Sequence, residues 1–85
     1  MSNQQQMREI LEVHRRHGVP LSMTVPFLLK LKGWAVGETA EAAGYTRAHL
    51  HFVLRRGIDP PSDLRRVVMQ RLGVDPWSVY ESSPD

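Results

Sequence analysis

Eighty-five residues make one domain, near the lower limit for a self-sufficient core. A core this small leaves about 5 kcal/mol of net stability, so oligomerisation is a natural supplement. The absence of cysteine excludes disulfides and thiolate zinc sites. The longest apolar run, near Val25 to Leu31, is broken by Pro26 and Lys30, so no membrane span is expected. The N-terminal stretch SNQQQMREILEVHRRHG lacks the apolar region of a signal peptide, which makes a cytoplasmic location the expectation. The net charge of +2 hides an asymmetry. From Gly44 to Arg71 the cations are Arg47, Arg55, Arg56, Arg65, Arg66 and Arg71, against only Asp59 and Asp63. A guanidinium fork suits bidentate contact with phosphate and guanine, so this bias favours a nucleic-acid partner over a merely solvated surface.

In chain order, Met7, Ile10, Leu11 and His14 follow helical spacing and predict a helix from about Gln4 to His17, stopped by Gly18. Its apolar face is narrow, so it either lies on the domain or pairs with its copy in a second subunit. Gly18 to Ser22 reads as a linker. Thr24 is placed as the N-cap of a helix over Val25 to Lys32, with Pro26 in its first turn and Val25, Leu28, Leu29 and Leu31 offered to the core. Trp34 is expected to plug the joint with the next helix, or else to stand out as an interaction handle.

Val36 to Arg55, VGETAEAAGYTRAHLHFVLR, reads as two short helices around a tight turn. Thr39, Ala40 and Ala43 are small enough for close packing. Gly44 ends the first helix in a left-handed conformation that glycine adopts without strain. Tyr45 is expected in the core, Thr46 as the next N-cap, and Leu50, Val53 and Leu54 as a buried stripe at i, i+3, i+4. An alanine four residues before the turn glycine, with leucine six and valine nine after it, is the spacing of a DNA-binding helix-turn-helix. After a loop to Pro61, Ser62 is predicted to cap a helix with Asp63 in its first turn. Its residues Leu64, Val67, Val68 and Leu72 face inward, while Arg65, Arg66 and Gln70 face out. Asp75-Pro76 opens a last short helix carrying Trp77, Val79 and Tyr80, and ESSPD (ending at Asp85) has the composition of a disordered tail. No alternating strand pattern occurs, so the expected fold is all-α.

The residues LKGW, ETAEAAGYTRAHLHFVLRRG and LRRVVMQRLGVDPWSVY carry a resemblance to the lambda-repressor-like DNA-binding domain. Within it the chain looks like the Ner-like regulators of Mu-type transposable bacteriophages, which share the closing pattern of helix, LG, short apolar residue, Pro and a late Trp or Tyr. The resemblance runs from roughly Val25 to Tyr80 and leaves the N-terminal helix outside. It implies a five-helix helix-turn-helix fold, with one of the helices or an additional one N-terminal to the core. The corresponding division is 1–22 as N-terminal helix and linker, 23–81 as the DNA-binding domain and 82–85 as the tail. It further implies a sequence-specific transcriptional regulator, a repressor of phage or prophage origin, associated with the nucleoid of a bacterial host. Many relatives carry glutamine where this chain has Val36-Gly37, so an anchor on phosphate there falls to backbone N–H groups.

With Leu50, Val53 and Leu54 turned inward, the opposite side of the second motif helix, 46–55, faces the major groove. Arg47, Ala48, His51 and Phe52 are the candidate base readers: Arg47 for guanine N7 and O6, Ala48 for a thymine methyl, His51 for a base acceptor or a phosphate. Phe52 either presses on a thymine methyl or sugar, or packs under the N-terminal helix. Lys32, Thr46, His49, Arg55 and Arg56 are the phosphate candidates, with Lys30 beside them. A single helix reads about four base pairs, so a homodimer is expected, formed by the Gln4–His17 helix or the Trp77–Tyr80 end. His14 and His17 share a helix face, whereas His49 and His51 diverge by about 200°, and no cysteine or converging carboxylate joins either pair. No metal, cofactor, small-molecule ligand or membrane partner is therefore expected. The serines form no nucleophile–base pattern, and no enzyme is predicted. The alternatives are a helix-turn-helix protein-interaction module, and an architectural DNA-binding accessory protein in transposition or excision.

Overall fold

Thr24, Val25, Leu28 and Leu29 recur at the spacing that lays one stripe along a helix, and all four are buried. They belong to α2 (Leu21–Leu31), the helix that the other elements surround in this computed structural model, which describes residues 3–81. The expected tail, 82–85, lies outside the described residues. Around α2 stand α1 (Asn3–Arg16), α3 (Val36–Ala42), α4 (Arg47–Arg56), α5 (Ser62–Leu72) and α6 (Pro76–Glu81), each packed against it. In addition α1 packs on α6, and α3 on both α4 and α5. Among the described residues the fold is all-helical, with six helices rather than five.

The core is one cluster. Leu11 of α1, Leu28 and Leu29 of α2, Leu50 of α4, and Leu64, Val68 and Leu72 of α5 are fully buried in it. Burying each such leucine stabilises the fold by about 1.5–3 kcal/mol. Because Met7 and Leu11 enter the same cluster, α1 lies on the domain, and a boundary at residue 22 would cut the first turn of α2.

The start of α2 differs from the expectation. Pro20, extended at φ −73° and ψ 156°, occupies the N-cap position, and its carbonyl accepts the N–H groups of Met23 and Thr24. A proline needs no N–H there, so the helix opens four residues early and Pro26 falls inside it, at the loss of one helical hydrogen bond. Thr24 is then not a cap but a buried hydroxyl. It lies 3.1 Å from His14 Nδ1 and 3.0 Å from the Tyr80 hydroxyl, which donates to the Val19 carbonyl at 2.6 Å. Tyr80 has one proton and gives it to Val19, so Thr24 must donate to Tyr80 and His14 Nδ1–H to Thr24. This directed chain fastens α1, α2 and α6 together.

Ser62 is likewise not a cap. Pro61, at φ −56° and ψ 146°, takes that position and its carbonyl accepts Arg65 N–H, which makes Ser62 the first helical residue. Asp75 does cap: its carboxylate accepts from the backbone N–H groups of Trp77 and Ser78.

Candidate nucleic-acid interface

The turn between α3 and α4 is built from backbone. Gly44 takes φ +87°, and the Ala40 carbonyl accepts the Tyr45 N–H at 2.9 Å, closing a Schellman turn. Thr46 is extended, and its hydroxyl accepts the His49 N–H at 3.1 Å, so the predicted N-cap is formed. Tyr45 reaches the core only in part. Its ring stacks on His49, 5.1 Å between centroids, and its hydroxyl donates to Asp63 at 3.4 Å. Partial burial, then the charge of Asp63 and the hydrogen bond to it, hold this phenol above its ordinary pKa of 10.0.

Leu50, Val53 and Leu54 are buried as the stripe requires. Helical geometry then sends Ala48, Phe52 and Arg55 straight out, with Arg47 and His51 along one edge and His49 and Arg56 along the other. All of these are exposed except His51, which is half-buried. Phe52 keeps 42% of its surface exposed, and its ring neighbours are His49 and the guanidinium of Arg56, 5.1 Å above it. It does not lie under the N-terminal helix, which packs on α2 and α6.

A groove runs beside the Arg47 edge. Lys30 and Trp34 line one wall, Glu38 and Glu41 of α3 another, and Arg47 and His51 the third. Gly37 faces the Arg47 side chain: a Cβ placed there would stand 3.8 Å from its Cβ and Cδ, so the short residue leaves that side chain uncovered. Lys32 is not part of this assembly. It lies in a separate depression between α1 and α2, beside Glu9, Ile10 and Leu31. Of the two lysines, it is Lys30 that the fold brings to Arg47. The carboxylates of Glu38 and Glu41 are the groove members that a search for cations passes over.

Trp34 does not plug the α2–α3 joint, where Thr39 and Ala40 are the buried side chains. It stays 39% exposed and lies under the guanidinium of Arg71, 4.1 Å from its centroid. Arg71 Nη1 also donates to the Thr39 hydroxyl at 3.0 Å, and that hydroxyl donates to the Ala35 carbonyl at 2.8 Å. Arg65, expected to face out, donates from Nε to Asp75 at 3.0 Å and pairs with the same carboxylate through Nη2 at 2.8 Å. The hydrogen bond to Asp75 raises its pKa above the ordinary arginine value, against the opposing effect of burial. Arg47, Arg55 and Arg66 make no ion pair among the described residues. Those residues also contain no group of three or more His, Asp or Glu side chains able to hold a metal, and no helix long and apolar enough to cross a membrane. No family model matches the chain, and neither the curated proteins nor the solved structures contain a match.

Proposed function

We propose that the protein is a sequence-specific DNA-binding transcriptional regulator, a repressor of phage or prophage origin, reading the major groove with the 46–55 helix. One observation carries the proposal: the outer face of α4 presents Arg47, Arg55 and Arg56, around Ala48 and Phe52, with no acidic partner among the described residues. Buried Leu50, Val53 and Leu54 fix the direction of that face. Arg47 reads a base rather than a phosphate, because Glu38 and Glu41 beside it repel the backbone. Arg55 and Arg56 hold phosphates where the helix leaves the groove, and Thr46 and His49 serve the entering end.

An electrophoretic shift assay against the DNA flanking the protein's own gene tests this. A sequence-specific shift at moderate salt, weakened roughly 5- to 150-fold in Arg47→Ala, is expected, since one bidentate arginine contributes about 1–3 kcal/mol of discrimination. A wild-type protein that fails to shift any flanking fragment would overturn the proposal. The exposed rings of Phe52 and Trp34 favour a second reading, a protein-docking module. Salt separates the two, because arginine–phosphate binding weakens steeply as salt rises and an apolar contact does not.

A further inference from the structure

The sequence leaves two surfaces open for a dimer, and the structure distinguishes them. Trp77 and Val79 of α6 are 3% and 4% exposed, so that end is already used in the core. The α1–α2 side is the reverse. Met23, Phe27 and Leu31 are 64%, 48% and 55% exposed, and Val13 of α1 is 40% exposed beside them. Val13 and Phe27 line one shared depression with Ile10. Contiguous exposed apolar surface above roughly a few hundred Å2 is uncommon on a monomer.

The arrangement is self-complementary. Met23, Phe27 and Leu31 stand at i, i+4 and i+8, a stripe symmetric about Phe27. On α1, Glu9 and Arg16 stand four residues before and three after Val13, both exposed. A two-fold axis crossing both helices at Val13 and Phe27 therefore sets Phe27 against its own copy and Met23 against Leu31. The same axis sets Glu9 against Arg16 of the partner subunit. Continued past Phe27, it reaches the flank of α2 where Lys30 borders the Arg47 groove. Both α4 helices then lie on one side of the pair, as a duplex with two half-sites requires.

We propose that a second copy of this chain covers the α1–α2 face, in an isologous dimer centred on Val13 and Phe27 with Glu9–Arg16 pairs at its rim. The assignment deepens the DNA-binding reading and rests on it for the choice of a second copy as occupant. Its test uses no DNA, so the two can fail separately.

Sedimentation equilibrium of the full chain, across micromolar concentrations, is expected to give twice the 9.7 kDa mass of one chain. Phe27→Glu, at an exposed site, is expected to sediment as one chain with its helical circular dichroism retained, while Met69→Glu on α5 stays paired. Glu9→Arg is expected to weaken association about tenfold, and adding Arg16→Glu to restore it. If Phe27→Glu unfolds, the rim pair decides, since both residues are exposed. A wild-type chain that sediments singly at every concentration would leave the face to some other protein and overturn the assignment. So would a folded Phe27→Glu that remains dimeric, or a charge swap that fails to restore pairing.

Discussion

Helices α4 and α5 carry three arginines each, and the fold uses them in opposite ways. On α5, Arg65 joins Asp75 and the start of α6, while Arg71 is held between the buried Thr39 hydroxyl and the Trp34 ring. On α4 no arginine has an acidic partner among the described residues, and the contact of Arg56 with the Phe52 ring stays within the exposed face. The number of arginines is the same and their position relative to the core is different. A guanidinium next to a buried polar group is drawn into satisfying it, whereas one opposite the buried stripe keeps its charge for a ligand. The excess of cations between residues 44 and 71 is therefore a smaller signal for nucleic acid than its size suggests: two of the three α5 arginines are engaged by the fold, and only exposed Arg66 stands with the α4 set.

The largest test of this contrast is to strip each helix in turn. Arg47→Ala, Arg55→Ala and Arg56→Ala combined are expected to lower DNA affinity about a hundredfold or more. The slope of log affinity against log salt should flatten by about 0.9 for each arginine that contacts phosphate. Fluorescence anisotropy over a salt titration reads both, and an unchanged slope would remove the basis for calling α4 the reading helix. Thermal stability should hardly move.

Arg71→Ala is expected to do the converse. It leaves the buried Thr39 oxygen without its donor and uncovers Trp34, a loss of about 2 kcal/mol in urea unfolding with the affinity of the folded protein unchanged. Arg71→Lys should recover little, because an ammonium cannot both stack on the indole and reach Thr39 as a planar fork does. Full stability in Arg71→Lys would show that charge alone matters at this joint. A step smaller is Asp75. Asp75→Asn keeps an oxygen to cap α6 but loses the Arg65 pair, for about 1 kcal/mol or less, whereas Asp75→Ala loses both and should cost about 1–2 kcal/mol. Equal losses in the two variants would mean that the cap contributes nothing.

Much of this frame was legible in the sequence, for identifiable reasons. The turn at Gly44, the Thr46 cap and the stripe of Leu50, Val53 and Leu54 are local features, fixed by backbone conformation and helical period, and the structure contains them as read. The misses came where a residue had two local roles and tertiary packing chose between them. Thr24 and Ser62 are good caps by type, but the prolines before them, Pro20 and Pro61, already hold the extended conformation a cap needs. Trp34 and Arg71 are 37 positions apart, and nothing in either neighbourhood announces that one covers the other. The exposure of Phe27 and Leu31 is of the same kind: the buried stripe of α2 takes in Thr24, Val25, Leu28 and Leu29 and leaves these two side chains on its flank. The candidate site divides likewise, since helical period sorts Arg47 from Leu50 but cannot tell Lys30 from Lys32.

The smallest expected effect lies between the two helices, where Tyr45 at the base of α4 meets Asp63 at the start of α5. Partial burial and the neighbouring carboxylate favour the neutral phenol, so its pKa is raised in the folded chain relative to the unfolded one. A raised folded pKa means that its contribution to stability is fully present below pH 10 and is lost as the pH rises through the folded value. Urea unfolding followed upward from pH 9 should show stability declining on this alkaline limb. Tyr45→Phe cannot ionise, so its decline over the same range should be shallower. Asp63→Asn removes the charge but leaves the burial, and should fall between the two. If Asp63→Asn matches wild type, burial alone sets the shift, and the contact between α4 and α5 at this point is steric rather than electrostatic. If it matches Tyr45→Phe, the carboxylate dominates. Asp63 would then act on a tyrosine of the turn rather than on the α4 arginines.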